Sequence, residues 1–332
     1  MYFSKFTSLI FACCLSIQGK AQENFVSLYG ETQGTTYQVK YYDGEKRNFQ
    51  TKLDSILCAF DACLSLYRPD SELSRFNREI SHRFESPYFY PVLAKSKEIF
   101  DLSGGVYDPT ILPLVEAYGF GPAGKHQIQP IDLDSILPLV DFNHIQFDTA
   151  TVTKKHQAVR LDFNGIAQGY AVDLLSMFLE RQGITRYMVE IGGEIRCGGR
   201  KDDNISWMAG IEDPTKPGRL IATIPIEDRA MTTSGNYRNH FTKNGRRYNH
   251  IINPRNGDME TSNILSVTVL AHDAITADGL DTPFFLMDLE TVKSFVEERD
   301  DLDIFIVYSD PDKGICTYAS TGIRSIIRSK IP

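Results

Sequence analysis

The stretch that most constrains this chain is a strand pattern that runs straight into an acid-bearing helix. Ile264–Ala271 is mostly apolar and reads as a buried strand. Ala274-Ile275-Thr276-Ala277-Asp278-Gly279-Leu280-Asp281-Thr282 follows, and Pro283-Phe284-Phe285-Leu286-Met287 then reads as a helix continuing into a core. Residues three and four apart share a helix face, so Asp278, Asp281 and Thr282 bring two carboxylates and a hydroxyl together at a helix start. Carboxylates that close repel unless a positive charge lies between them, and an oxygen-only set suits a hard cation such as Mg²⁺ or Ca²⁺. The competing reading is a capped helix start, with Asp278 or Thr276 satisfying free N–H groups.

A chain of 332 residues is enough for one large domain or two small ones. Its net charge of -8, without any basic run, argues against a nucleic-acid partner. The first 21 residues read as an export signal: Lys5 precedes the apolar Phe6-to-Ile17 stretch, and Gly19-Lys20-Ala21 supplies small residues for cleavage. Lipid attachment at Cys13 or Cys14 competes with cleavage, and membrane association is expected only in that case. No later segment is apolar enough to span a bilayer. Cys58, Cys63, Cys197 and Cys316 remain after cleavage, match no zinc spacing, and read as buried small hydrophobes; a Cys197–Cys316 bridge is the alternative for one pair.

Two strands with a turn near Gly34 are expected over Phe25 to Tyr42, and helices over Gln50 to Tyr67, Val92 to Leu102 and Gly165 to Gln182. Gly119 to Ile131, rich in Gly and Pro, reads as an exposed excursion. Strands are expected within His144 to Phe163, then at Tyr187 to Ile191, 206–212, 219–226, 229–233, Tyr248 to Ile252, Leu265 to Ala271, Ile304 to Tyr308 and Ile323 to Ile327. Strands outnumber helices and come in runs, which favours a single compact mixed α+β domain over residues 22–332.

No dinucleotide fingerprint, Walker loop, zincin motif or serine-hydrolase elbow is present. Three polar clusters stand out beside the acid pair. Leu161-Asp162-Phe163-Asn164-Gly165-Ile166-Ala167-Gln168-Gly169-Tyr170-Ala171 joins a strand end to a helix start, with small residues that suit either ligand approach or close packing. Thr232-Thr233-Ser234-Gly235-Asn236-Tyr237-Arg238 offers hydroxyls and an arginine after a strand, fit for phosphate oxygens or for a polar turn. Tyr248 to Gly257 places His250 in an apolar strand and Arg255 on the turn after it.

Taken in order, Ser103-Gly104-Gly105-Val106-Tyr107-Asp108-Pro109-Thr110, the Asn164-to-Ala171 stretch, Ser234-Gly235-Asn236-Tyr237-Arg238, His250-Ile251-Ile252-Asn253-Pro254-Arg255-Asn256-Gly257 and Thr276-Ala277-Asp278-Gly279-Leu280-Asp281-Thr282 resemble the ApbE family of FAD:protein FMN transferases. The resemblance runs from Gly34-Thr35-Thr36 to the last strand and includes Tyr67 to Asn77. It implies an ApbE-type α+β fold and an exported, periplasmic enzyme that uses Mg²⁺. Such an enzyme moves the FMN half of FAD onto a threonine hydroxyl of a target flavoprotein and releases AMP; some members hydrolyse FAD instead. It further implies acceptors that are flavin-carrying subunits of membrane redox complexes. By the same resemblance Asp278, Asp281, Thr282 and the backbone carbonyl of Ala167 hold the metal. Gln33, Tyr67, Val106, Tyr107, Asp108, Asn164, Tyr170 and Ile252 meet FAD, with Ser234 and Arg238 toward its phosphates. Catalysis falls to Asp278 and to His250, the residue expected to activate the attacking hydroxyl. Two positions depart from the family pattern: Gln168 stands where lysine is frequent, and Asn253 where aspartate is. A periplasmic flavin-binding protein without catalysis is the reading from another class, weakened by an acid–hydroxyl clamp that binding alone does not need.

Overall fold

The structure, a computed structural model, describes residues 24–122, 131–201, 205–216, 218–235, 240–243, 246–249, 251–259 and 262–329, with backbone alone for 240–249 and for 329. The export segment with Cys13 and Cys14, most of the Gly119-to-Ile131 excursion, Arg238 and His250 lie outside the described residues.

The chain opens with β1 (Phe25–Thr32) and β2 (Thr35–Tyr42), then α1 (Gln50–Leu64), α2 (Glu72–Arg78), β3 (Ser81–Arg83), α3 (Phe89–Leu102), α4 (Leu112–Ala117) and α5 (Leu133–Ile136). β4 (Ile145–Phe147) and β5 (Thr151–Lys154) precede α6 (Ala167–Arg181), β6 (Tyr187–Ile191) and β7 (Glu194–Gly198). β8 (Trp207–Glu212), β9 (Leu220–Ile226), β10 (Arg229–Gly235), β11 (His240–Lys243), β12 (Arg246–Asn249) and β13 (Ile264–Ala271) lead to α7 (Ala274–Leu286) and α8 (Leu289–Glu297). β14 (Asp303–Asp310), β15 (Gly314–Ala319) and β16 (Arg328–Ser329) close the chain.

An antiparallel sheet in the order β1-β2-β6-β7-β10-β13-β14-β15 is the centre of this α+β fold. Alternation along each strand divides its side chains between two cores. On one face Val189 and Ile191 of β6, Ala230 of β10 and Val267 and Val269 of β13 join the core beneath α1, α6 and α7. On the other, Cys197, Met231, Leu270 and Phe305 meet Trp207, Ile211 and Ile224 from the small sheet β16-β9-β8. α7 packs on β10 and β13 and beside α6, which itself lies on β6 and β7. α7 is buried at nearly every position. A helix enclosed on nearly all sides sits inside the domain, and Asp278 and Asp281 are buried polar exceptions on an otherwise mostly apolar helix.

The two-residue turn Gln33-Gly34 joins β1 to β2 with both residues at positive φ, 51° and 74°. That is the hairpin turn whose twist matches the strands, and Gln33 holds a conformation usual only for glycine. Gly192-Gly193 makes the β6–β7 turn at the same end of the sheet, where Gly192 N donates to the Thr36 carbonyl at 3.1 Å.

Several expectations are corrected. β7 and β15 are not among the expected strands, because β7 is only five residues long and β15 is half-exposed with weak alternation. α8 was missed because only Val292 and Val296 are buried. Residues 323–327 form a turn rather than a strand, with Ile323 alone buried by the second core. The strand expected over Tyr248 to Ile252 ends at Asn249, and Ile251 and Ile252 continue as irregular backbone. Not all four cysteines are buried: Cys58 is exposed, Cys316 half-buried, and all four are free thiols, so no Cys197–Cys316 bridge forms. Among the described residues no helix is long and apolar enough to cross a membrane.

Candidate functional site

The acid-bearing helix starts earlier than expected. Asp273 is its cap, extended in backbone and accepting from Thr276 N at 2.9 Å. Asp278, Asp281 and Thr282 therefore lie inside α7 rather than at its first turn, which removes the reading of Asp278 or Thr276 as the cap. Asp278 Oδ2 instead accepts from the backbone N–H of Gly169, on the first turn of α6, at 2.7 Å. A helix's first N–H groups have no partner within it, so one helix start is satisfied by a carboxylate from the next helix. Gly169 makes this approach possible: a Cβ there would sit 2.3 Å from the Ala274 carbonyl oxygen and 2.6 Å from Asp278 Cβ. The glycine thus serves helix-on-helix packing at the site itself.

One turn along α7, Thr282 Oγ1 lies 3.2 Å from Asp281 Oδ1 and 3.3 Å from Ser234 Oγ. Thr232 and Ser234 belong to β10 itself, not to a turn after it, and alternation aims both at α7. Asp278 and Asp281 are 6% and 3% exposed. Burial pushes the Asp278 carboxyl up to about 7, against the pull of the Gly169 N–H and with a further push from Asp173. Asp281 is driven well above the carboxylate range by burial, then by Asp278 and Glu194, while the Thr232 and Thr282 hydroxyls oppose the shift. Two buried acids that raise each other's affinity for a proton form a site short of positive charge. No three His, Cys, Asp or Glu side chains among the described residues gather as ligands. The donors at hand are carboxylate and hydroxyl oxygens, the set a hard cation prefers, so the residues fit Mg²⁺. Ala167 is the first residue of α6, two residues before the Gly169 N–H that Asp278 accepts from. Next to it Gln168 Nε2 donates to the Ile191 carbonyl at 2.8 Å and fills the space over Gly192, tying α6 to the β6–β7 turn.

A second group of expected residues gathers on the loops beside this junction. Asp162, raised to about 6 by burial, accepts from Asn164 N at 2.7 Å, and Asn164 itself is exposed. Leu161 is clamped by Asn77 of α2, whose side chain donates to the Leu161 carbonyl at 2.9 Å and accepts from Leu161 N at 2.7 Å. Tyr67 is 67% exposed and feels the Asp162 charge, leaving its ring open to a planar ligand. Tyr107 differs: it is buried, its hydroxyl is 3.1 Å from Ser96 Oγ, and it feels Asp278, Asp162 and Asp108. Val106 is buried beside it. The Asp108 carboxylate is occupied within the fold, accepting from Thr110 N at 2.8 Å, Thr110 Oγ1 at 2.6 Å and Phe142 N at 3.1 Å, and burial still raises it to about 6. Tyr170 packs edge-on against Phe60, ring centres 5.8 Å apart, inside the first core. Gln33, at the β1–β2 turn, keeps Nε2 buried without a hydrogen-bond partner. Such an orphan is rare in a native interior.

Ile252 is buried, and Asn253 organises the turn after it: its Oδ1 accepts from Arg255 N at 3.0 Å and its carbonyl from Gly257 N at 2.8 Å. Arg255 donates to the Gly104 carbonyl, joining this turn to the loop that carries Val106 and Tyr107. The structure therefore brings Ser234, Asp281 and Thr282 together, seats Asp278 against the first turn of α6, which Ala167 opens, and sets Tyr67, Val106, Tyr107, Asp108 and Asn164 on the adjoining loops. Sequence reasoning missed Glu194 and Asp173, whereas Thr232 stood in the expected hydroxyl cluster and Gly169 among the small residues expected to suit close packing. Asp173 did carry a signal, an acid within the apolar periodicity of α6.

Comparison with known proteins agrees with this architecture. Residues 33–306 match the ApbE family. The chain is 36% identical over 315 residues to the FAD:protein FMN transferase of Vibrio cholerae, covering 91% of this chain and 92% of that one. It is 34% identical over 336 residues to the enzyme of the same name from Haemophilus influenzae, covering 96% of each. Its fold superposes on the flavin transferase ApbE of Vibrio cholerae with a TM-score of 0.82 at 34% identity, covering 92% and 99% of the two chains. The apo flavinyl transferase ApbE of Pseudomonas stutzeri gives 0.82 at 30% identity, covering 92% and 97%. The chain belongs to the ApbE family.

Proposed function

We propose that this protein is a Mg²⁺-dependent FAD:protein FMN transferase, which moves FMN from FAD to a threonine hydroxyl of an acceptor flavoprotein and releases AMP. The observation that carries the proposal is the buried Asp278–Asp281 pair, framed by the Ser234 and Thr282 hydroxyls at the start of α6, in a chain whose relatives bear that name. Splitting a pyrophosphate requires neutralised phosphoryl charge and an oriented nucleophile. Mg²⁺, held by Asp278, Asp281, Thr282 and the Ala167 carbonyl, supplies that neutralisation when bound. The chain's own residues do the rest. Tyr67 offers a ring face to a flavin or adenine, the orphaned Gln33 amide offers a donor, and Ser234 and Arg238 lie in the sequence where phosphate oxygens are expected. His250 takes the proton of the incoming threonine hydroxyl. Export by the N-terminal segment delivers the enzyme to the periplasm, where its acceptors are flavin-carrying subunits of membrane redox complexes.

Hydrolysis of FAD to FMN and AMP uses the same site with water as acceptor. Gln168 and Asn253 are the reason to test it, because the first removes a positive charge near the pyrophosphate and the second a carboxylate near His250. Purified protein is incubated with FAD and Mg²⁺ and no acceptor, and AMP is followed by chromatography. A transferase holds FAD with slow AMP release. Prompt stoichiometric AMP overturns the transferase reading in favour of the hydrolase.

A further inference from the structure

Asp173 lies on α6, one turn beyond Gly169, and is 3% exposed. Its Oδ1 accepts from Ala274 N at 2.9 Å and its Oδ2 from Ile275 N at 2.8 Å, the first two N–H groups of α7. Asp273 takes the N–H of Thr276, so three consecutive free donors of that helix are answered by two carboxylates. From β7, Arg196 donates to Asp173 Oδ1 at 2.8 Å and also reaches Glu180 at 3.2 Å. Burial raises the Asp173 carboxyl, and Arg196 and the two helix N–H groups oppose that rise.

These bonds run opposite to the one already described. Asp173 reaches from α6 to the start of α7, and Asp278 reaches from α7 back to the start of α6. Three carboxylate-to-backbone bonds in two opposing directions, set three or four residues apart along each helix, leave little freedom for one helix to slide or turn against the other. Gly169 lets the backbones close to that distance. The carbonyl of Ala167 on α6 and the side chains of Asp278, Asp281 and Thr282 on α7 come from the two elements so locked.

We infer that Asp173, braced by Arg196, is a positioning residue for the metal: it sets the register of α7 on α6 and so the spacing between the α6 and α7 donors. This rests on the Mg²⁺ site proposed above. Asp173 touches neither metal nor substrate, and its effect falls on metal affinity.

The test is Mn²⁺ binding to the FAD-free protein, read from the electron paramagnetic resonance of free Mn²⁺ at a temperature well below every variant's midpoint. It is paired with the Mg²⁺ dependence of turnover. Asp173→Asn keeps the shape but turns one acceptor into a donor facing a helix N–H. The Kd for Mn²⁺ should weaken at least tenfold and the KM for Mg²⁺ rise in parallel, with kcat at saturating Mg²⁺ within about threefold of wild type. Arg196→Lys, which keeps the charge, should stay within about threefold in both. Should Asp173→Asn not fold, Arg196→Gln carries the same test with an expected three- to tenfold loss. A lowered midpoint with unchanged Mn²⁺ affinity makes Asp173 a stabilising cap only and overturns the inference. No Mn²⁺ binding by wild type overturns instead the metal site on which it rests.

Discussion

Replacing Asp278 by asparagine should have effects of opposite sign on stability and on metal binding. In the metal-free protein the Asp278 carboxyl is raised from 3.8 to about 7, chiefly by burial. Between those values the native state holds a proton that the unfolded chain has lost, so stability falls as pH rises through that window. At pH 8 the full difference applies, about 4 kcal/mol at 1.36 kcal/mol per unit. Asparagine carries no such penalty and can still accept from Gly169 N, giving up about 1 kcal/mol because the bond is no longer charge-assisted. Asp278→Asn should therefore be about 3 kcal/mol more stable than wild type in chelator at pH 8, a rise in midpoint of roughly 5 °C, with little difference at pH 4. Mg²⁺ at a thousand times its Kd should reverse the order, since it adds about 4.1 kcal/mol to wild type and nothing to the variant. Differential scanning calorimetry at both pH values, with chelator and with Mg²⁺, reads all four states. An asparagine variant less stable than wild type in chelator at pH 8 would show that the carboxylate stabilises the empty fold, and the charge argument for a cation would fail.

Gly169→Ala should cost about 1–3 kcal/mol by overpacking, because the new methyl meets the Ala274 backbone 2.3 Å away, and it should weaken Mg²⁺ binding measured by titration calorimetry. Asn77→Ala leaves the buried N–H and carbonyl of Leu161 without their side-chain partner, a loss of about 2–4 kcal/mol in urea unfolding, and should raise the KM for FAD by loosening the loop that carries Asn164. His250→Ala should lower the rate of flavin transfer to an acceptor domain by about 10²–10⁴-fold while FAD binding, read by fluorescence, persists.

The parts of this fold that were legible in the sequence are those where burial imposes a period. β13 and α7 announced themselves because a strand buried on both faces and a helix buried at nearly every position admit few alternatives. Among the elements that escaped, β15 and α8 are half-exposed, and β7 is a five-residue strand that takes its place from β6 and β10 on either side. The same holds within the site. Asp278, Asp281 and Thr282 share a helix face by spacing alone, whereas Ser234 reaches Thr282 only through sheet pairing that no local pattern encodes. The helix start was misread because Asp273, Thr276 and Asp278 all suit a cap, and the choice fell to the length of β13 and to Asp173, 101 residues away in sequence. Asp108, expected by resemblance to meet FAD, has its carboxylate committed to Thr110 and Phe142.

The most direct test supplies the purified protein with FAD, Mg²⁺ and an acceptor domain bearing a threonine in a short Gly/Ala/Ser/Thr-rich motif. The acceptor is resolved on a denaturing gel and read for flavin fluorescence, and AMP is quantified alongside. A fluorescent acceptor band matched by one AMP per flavin attached is expected, absent in chelator and absent with Asp278→Ala. A dark acceptor accompanied by free FMN and AMP, or by FAD returned intact, would contradict the transferase reading.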